Sequence, residues 1–436
     1  MEKKEEKNLD FEGRTMALLD FINESPTVYH AVAALENRLK NAGFLALREG
    51  DSWNLKRGGS YYVTRSESAI IAFTIPESAP LSEGCRILAS HGDSPSFKIK
   101  ENPEMCVEDH YVKLNVEKYG GMLMAPWFDR PLSVAGRVLF AGKDGKIESK
   151  LVNVDRDLLL IPNLAIHMNR QVNDGYAYNA QKDMLPLYGL AGAKGTFMDV
   201  VAEAAGLSAD AVLGHDLFLY NRTAPVIWGA QNEFVSAPRL DDLQCAFASM
   251  AGFLRADRSK QLSLCCVFDN EEVGSETNQG ADGTFLYDVL ARIAEAFGAS
   301  IEESRRMLAN GFMISADNAH AIHPNHTDMA DPVNRPYINE GIVIKYNAAQ
   351  KYCTDGVSAA RFKALCKKAG VPYQTFTNRS DIAGGSTLGN LSNTHVAIST
   401  VDVGLPQLAM HSPYETAGVK DTAYFVAAAE QFFTAS

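Results

Sequence analysis

The sequence predicts an α/β fold in which helices cover a mixed, largely parallel sheet and a β-rich segment is inserted into the chain. Short apolar runs end in polar clusters at four places: CRILAS before His91, QLSLCCVF before Asp269, GFMIS before Asp317 and VAIST before Asp402. Runs of this length without alternation read as buried strands. Segments of helical composition at 240–256 and 284–298 lie between them, and that alternation is the α/β signature. From about residue 96 to 234 the pattern shifts to shorter runs rich in Gly, Pro, Asn and Asp, with Lys143-Asp144-Gly145 as a hairpin turn.

The elements follow in order. Met16, Leu19 and Ile22 recur at helical spacing. Ser25-Pro26 then reads as an N-cap and first turn for a second helix through Val28, Val32, Leu35 and Leu39 to Gly43. These helices and the first strands make residues 1–95 the opening of one domain, resumed at 235–436 and interrupted by 96–234. A chain of 436 residues, 46% hydrophobic and 22% charged, can bury a large core and is long enough to divide into at least two domains.

A net charge of −12 argues against nucleic acid or an anionic membrane as partner, since both demand clustered Lys and Arg. The start MEKKEEKNLD has no apolar core of a signal peptide, and no run of about 18 apolar residues occurs. The expected location is the cytoplasm. Seven scattered cysteines without a CxxC pair read as reduced thiols.

The polar clusters past the strands carry the chemistry, because open α/β sheets bind ligands at the strands' carboxyl ends. His91-Gly-Asp93 offers an imidazole whose other ring N–H a carboxylate could accept, as metal-binding histidines usually require. A buried structural His–Asp contact explains it equally well. Arg239-Leu-Asp241-Asp242 opens a helix, where capping alone would account for the acids. In FDNEEVGSE, the acids Asp269, Glu271, Glu272 and Glu276 crowd where a buried strand emerges. Carboxylates that close raise one another's pKa unless a cation neutralises them. Asp317 precedes His320, His323 and His326, of which at least two are structural or surface residues, and His411 follows another apolar run.

Together His91, Asp241, Glu272, Asp317 and His411 supply two imidazoles and three carboxylates, the ligand types of hydrolytic zinc sites. Two divalent ions against three carboxylates leave one positive charge, which a bridging hydroxide would neutralise. Glu271 lies outside that count and is free to act as general base. No G-x-S-x-G elbow offers a competing nucleophile. GAKGT at 192–196 lacks the order of a phosphate loop and reads as a turn, whereas AGGSTLG at 383–389 reads as a tight loop lining the same pocket.

Nine segments in this order resemble the aspartyl aminopeptidase and vacuolar aminopeptidase I family of co-catalytic zinc exopeptidases: HGDSPSFKIK, GGMLMAPWFDRPL, IPNLAIHMNR, RLDDLQC, FDNEEVGSETNQGA, SADNAHAIHPNH, VIKYN, DIAGGSTLG and MHSPYE. The resemblance implies a zinc-exopeptidase three-layer sandwich with an inserted β-rich dimerisation domain, and dimers that assemble into a tetrahedral dodecamer. It places His91, Asp241 and Asp317 on one Zn²⁺ and Asp241, Glu272 and His411 on a second, with Glu271 as general base and cobalt or manganese as possible substitutes. It implies substrate contacts at His320, Lys345 and Tyr352, and one at His167 reaching in from the neighbouring subunit. The implied substrates are peptides with a free, preferably acidic N-terminus. Lys345 either pairs with that acidic side chain or snorkels at a strand end. Local departures are Pro238 before Arg239-Leu240 and Asp242 where many relatives carry Asn.

Two alternatives stay open: an aminopeptidase of neutral or broad specificity, and another two-metal amide hydrolase, for which Arg379 is the candidate carboxylate clamp; against a metal-free assembly or cargo protein stands the presence of all five ligands and Glu271.

Overall fold

The computed structural model describes residues 9–434. Its organising element is a nine-stranded mixed sheet in the order Leu45–Leu47, Ser60–Arg65, Ala69–Thr74, Leu262–Phe268, Cys85–His91, Phe312–Ala316, Thr400–Gly404, Ile342–Tyr346 and Tyr373–Thr377. The four strands from Leu262–Phe268 to Thr400–Gly404 run parallel. Their side chains alternate between two separate cores. Leu88, Cys265, Val267, Ile314 and Val401 face one side with helices Phe11–Glu24, Val28–Asn41, Leu240–Arg255, Gly356–Ala369 and Asp421–Thr434. Ile87, Leu264, Cys266 and Met313 face the other with helices Phe285–Ala296 and Ile301–Ala309. Two apolar faces covered by helices make the three-layer sandwich, and explain why these strands lack polar alternation.

A six-stranded, wholly antiparallel sheet is built from strands between Ser96 and Asn221 in the order Ile147–Asn153, Leu132–Ala141, Val212–Asn221, Ser96–Val107, Tyr111–Tyr119 and Leu187–Leu190. It has its own core, drawn from residues between Phe97 and Leu219. The hairpin at Lys143-Asp144-Gly145 joins two of its strands, with Gly145 at φ 77°. A third sheet of five short strands includes Pro406–Leu408 and Glu415–Gly418, which flank the loop of His411. No helix among the described residues is long and apolar enough to cross a membrane.

Two sequence expectations are corrected. The second helix starts at Val28 with Thr27 as its N-cap, and Thr27 Oγ1 is engaged with His30 Nδ1 at 2.9 Å, so Ser25-Pro26 precedes the cap. The strand expected to end before Asp402 instead runs Thr400–Gly404, with Asp402 inside it. A buried mid-strand carboxylate is tolerated because Cys353 N–H and Thr387 Oγ1 donate to it at 2.6 and 2.9 Å.

Candidate metal centre

The parallel strands bring the polar clusters to one level. Phe268 pairs with His91 in register, so His91 ends its strand beside the point where Asp269 leaves the next, and Asp317 follows Ala316 on the other neighbour. Asp241 and Asp242 sit at the start of helix Leu240–Arg255 with non-helical backbone, after Arg239 in the left-handed region at φ 59°. His411 is carried at φ 66° on the loop between Pro406–Leu408 and Glu415–Gly418.

His91 Nε2 lies 3.6 Å from Asp241 Oδ1 and 3.8 Å from Asp317 Oδ1, while His411 Nε2 lies 3.6 Å from Asp241 Oδ2 and 3.3 Å from Glu272 Oε2. Asp241 thus presents one oxygen to each imidazole. Ligand atoms of His91, Asp241, Asp242 and Asp317 fall within 4.8 Å of one another, as do those of Asp241, Glu272 and His411. His91 Nε2, Asp241 Oδ1 and Glu272 Oε1 are buried and accept or donate no hydrogen bond. Buried polar atoms without a protein partner are the kind a bound cation would satisfy. His91, Asp241, Glu272, Asp317 and His411 therefore fit a metal centre, with Asp242 beside them.

Electrostatics agree. Burial and then Asp241 push the Glu272 carboxyl well above its usual range. Burial, with Asp317, Asp93 and Asp241 acting in the same direction, raises Glu271 to about 8. Burial also raises Asp242, whose Oδ2 accepts the His91 backbone N–H at 3.1 Å. Burial would raise Asp317 too, but the Lys345 ammonium and His91 outweigh it and hold this carboxyl below the ordinary range. Divalent cations remove the repulsion that the other three suffer.

Asp93 differs in detail from the sequence expectation. The His91 Nδ1 sits 3.1 Å from the main-chain carbonyl of Asp93 and 3.4 Å from its carboxylate. The carboxylate also accepts the backbone N–H groups of Glu271 and Glu272, each at 3.2 Å.

His320, Lys345 and Tyr352 line the cleft that opens onto Asp241, Glu271 and His411, together with Gly385, Ser386 and Thr387 of the AGGSTLG loop. Lys345 is 3% exposed; its Nζ is 3.4 Å from Asp317 Oδ2 and 5.6 Å from the centre of the Tyr352 ring. His320 sits exposed at the rim of this cleft, and the Lys345 charge acts to lower its pKa. All three histidines, His320, His323 and His326, are exposed, and of them His320 alone lines the cleft. His167 is exposed and does not line this cleft. Arg379, the proposed clamp of the amide-hydrolase alternative, is engaged by Asp381 at 2.6 Å through both Nε and Nη2, away from the cleft.

Glu415 was not singled out in the sequence. It is buried, its Oε2 accepts the Asp241 N–H at 3.0 Å and its Oε1 the His411 N–H at 2.7 Å. The only sequence signal was its place four residues after His411 in MHSPYE.

The model of the aminopeptidase I zinc metalloprotease family (M18) matches residues 21–433. A probable M18 family aminopeptidase 2 of Clostridium acetobutylicum is 47% identical over 421 residues, covering 95% of this chain and 97% of its own. A chain in the cryo-EM structure of the Ape4 and Nbr1 complex superposes with a TM-score of 0.94 at 35% identity, over 98% of this chain and 86% of that one. The S. cerevisiae mApe1 dodecamer matches with a TM-score of 0.85 at 27% identity, over 97% of this chain and 96% of that one. The chain belongs to the M18 family of zinc aminopeptidases, metallopeptidases that hydrolyse peptides from the N-terminus.

Proposed function

We propose that this zinc aminopeptidase holds two Zn²⁺ per subunit, one on His91, Asp241 and Asp317 and one on Asp241, Glu272 and His411, and that it prefers acidic N-terminal residues. The observation that carries this reading is Asp241, which turns one carboxylate oxygen toward each imidazole. When bound, zinc supplies the Lewis acidity that polarises a peptide carbonyl and acidifies water. Glu271 is the general base: it takes the proton of the attacking water and delivers it to the leaving amine. Asp93 and Glu415 fix the backbones that carry Glu271, Glu272, Asp241 and His411.

His320, Lys345 and Tyr352 form the subsite for the first side chain, with the Lys345 ammonium as partner for Asp or Glu. The Lys345–Asp317 contact favours a second reading, in which the lysine's charge is spent on Asp317 and specificity is broad. The segment 96–234 acts as the dimerisation domain, supported by its separate core and by the apolar side chains exposed around His167: Leu164 (57%), Ile166 (47%) and Met168 (77%). Dimers assemble to the dodecamer known for mApe1, and His167 enters the neighbour's cleft. Seven unpaired thiols suit the cytoplasm.

The test is to measure bound metal and compare turnover of peptides beginning with Asp, Glu, Leu or Lys against N-blocked copies. Equal cleavage of blocked peptides would remove the aminopeptidase mechanism. Equal turnover of Asp and Leu peptides would leave broad specificity.

A further inference from the structure

One partly buried hydrogen-bond chain links the six-stranded sheet to the turn that carries Glu271 and Glu272, and its direction is fixed at every step. Asn270 lies in the left-handed region at φ 60°, which asparagine tolerates. Its Oδ1 accepts from Thr277 Oγ1 and from Gln279 Nε2, both at 2.9 Å. With its carbonyl so occupied, its amide group must face the third neighbour, and Nδ2 donates to Tyr119 Oη at 2.9 Å. Tyr119 has a single hydroxyl hydrogen. Because its oxygen is accepting from Asn270, that hydrogen goes to Asp93 Oδ2, 2.7 Å away. Asp93 in turn accepts the backbone N–H groups of Glu271 and Glu272.

Tyr119 is the last residue of strand Tyr111–Tyr119, and its ring packs edge-on against Phe218 of the same sheet, centroids 5.4 Å apart at 84°. The ring is therefore held by one sheet while the hydroxyl reaches a carboxylate at the end of another. A carboxylate with two backbone donors and a hydroxyl is clamped in orientation, and the two glutamates are clamped with it.

We infer that Tyr119 is a positioning residue for the reaction: through Asp93 it fixes the Glu271–Glu272 turn, so the metal centre is complete only when the six-stranded sheet is docked. This rests on the metal-centre reading above.

Tyr119→Phe keeps the contact with Phe218 and deletes the hydroxyl. Outer-shell losses of this kind typically cost about 10–100-fold in metal affinity or activity. The expected result is roughly tenfold weaker zinc binding in competition with a chelator and a similar fall in kcat, with KM little changed. Asn270→Asp replaces the donor by an acceptor that competes for the Tyr119 proton, so it is expected to weaken zinc binding in the same direction and decides the matter if Tyr119→Phe misfolds. A residue serving stability alone would lower the unfolding temperature of the metal-free protein while leaving zinc affinity and kcat unchanged. That outcome overturns the inference, as does wild-type zinc affinity in both variants. If the wild-type protein binds no zinc, the metal-centre reading fails first and Tyr119 falls with it.

Discussion

Lys345 Nζ lies 3.4 Å from Asp317 Oδ2, with only 4% and 13% of the two side chains exposed. The lysine therefore belongs to the metal centre as much as to the substrate cleft. Burial works against the ammonium, but Asp317 and then Tyr352 raise its pKa, so it stays charged. Lys345→Met removes the charge, keeps the length and leaves Asp317 without its partner. Hydrogen bonds to charged groups are worth about 1.5–3 kcal/mol, so kcat/KM should fall roughly 10- to 100-fold on every peptide. A further fall is expected for Asp and Glu N-termini, read as the Asp/Leu ratio. A loss confined to acidic peptides would show that Asp317 does not need the lysine; an unchanged ratio would show that the lysine does not read the side chain.

Glu271 and Glu272 are adjacent, yet their settings divide. Glu272 Oε2 lies 3.3 Å from His411 Nε2 and Glu272 shares a cluster with Asp241 and His411, whereas Glu271 Oε2 lies 4.0 Å from His91 Nε2 and Glu271 clusters with His91 and Glu272 but not with Asp241 and His411. Glu271→Gln should retain bound zinc and lose turnover by about 10²- to 10⁴-fold, the range for a general base. Glu272→Ala should lose zinc. Equal metal loss in both variants would contradict this division of labour.

What the sequence reveals about this site follows from the parallel sheet. His91, Asp269 and Asp317 were legible because adjacent parallel strands in register deliver the residues after each apolar run to one edge. The second, antiparallel sheet was legible because its shorter, turn-rich strands read differently from strands covered on both sides. What stayed hidden depends on pairing between distant elements. Tyr119 meets Asp93 and Asn270 only once the two sheets are docked, and Glu415 meets Asp241 across 174 residues. Asp93 is legible through its neighbour His91, but not the further hold of its carboxylate on Glu271 and Glu272, 178 and 179 residues away.

His167 is exposed and absent from the cleft of its own chain, so a catalytic contribution must come from a second copy. Separately inactive His167→Ala and Glu271→Gln proteins, dissociated, mixed in equal amounts and reassembled, test this. In each mixed pair one site carries both lesions and the other neither, so random pairing across a two-fold interface restores about a quarter of wild-type turnover. No recovery on mixing would place His167's effect within its own subunit, and full activity of His167→Ala alone would remove it from the site.

His30 gives a stability test independent of the metal. Burial, and then the Arg239 charge, lower its pKa from 6.5 to about 4, so the folded protein keeps it neutral beside Thr27 Oγ1. The unfolded chain binds the proton at a higher pH than the folded one, so stability rises with pH across the interval between the two values. The contribution is therefore fully present above pH 6.5 and is lost as pH falls from 6.5 to about 4. At 1.36 kcal/mol per pKa unit, the loss is up to about 3 kcal/mol. His30→Gln cannot titrate and should lose less stability over this interval. Denaturant unfolding of both metal-free proteins at pH 7, 5.5 and about 4 measures the difference, with metal excluded because its release in acid would add its own slope. Parallel stability curves for the two proteins would mean that His30 takes up its proton without unfolding anything.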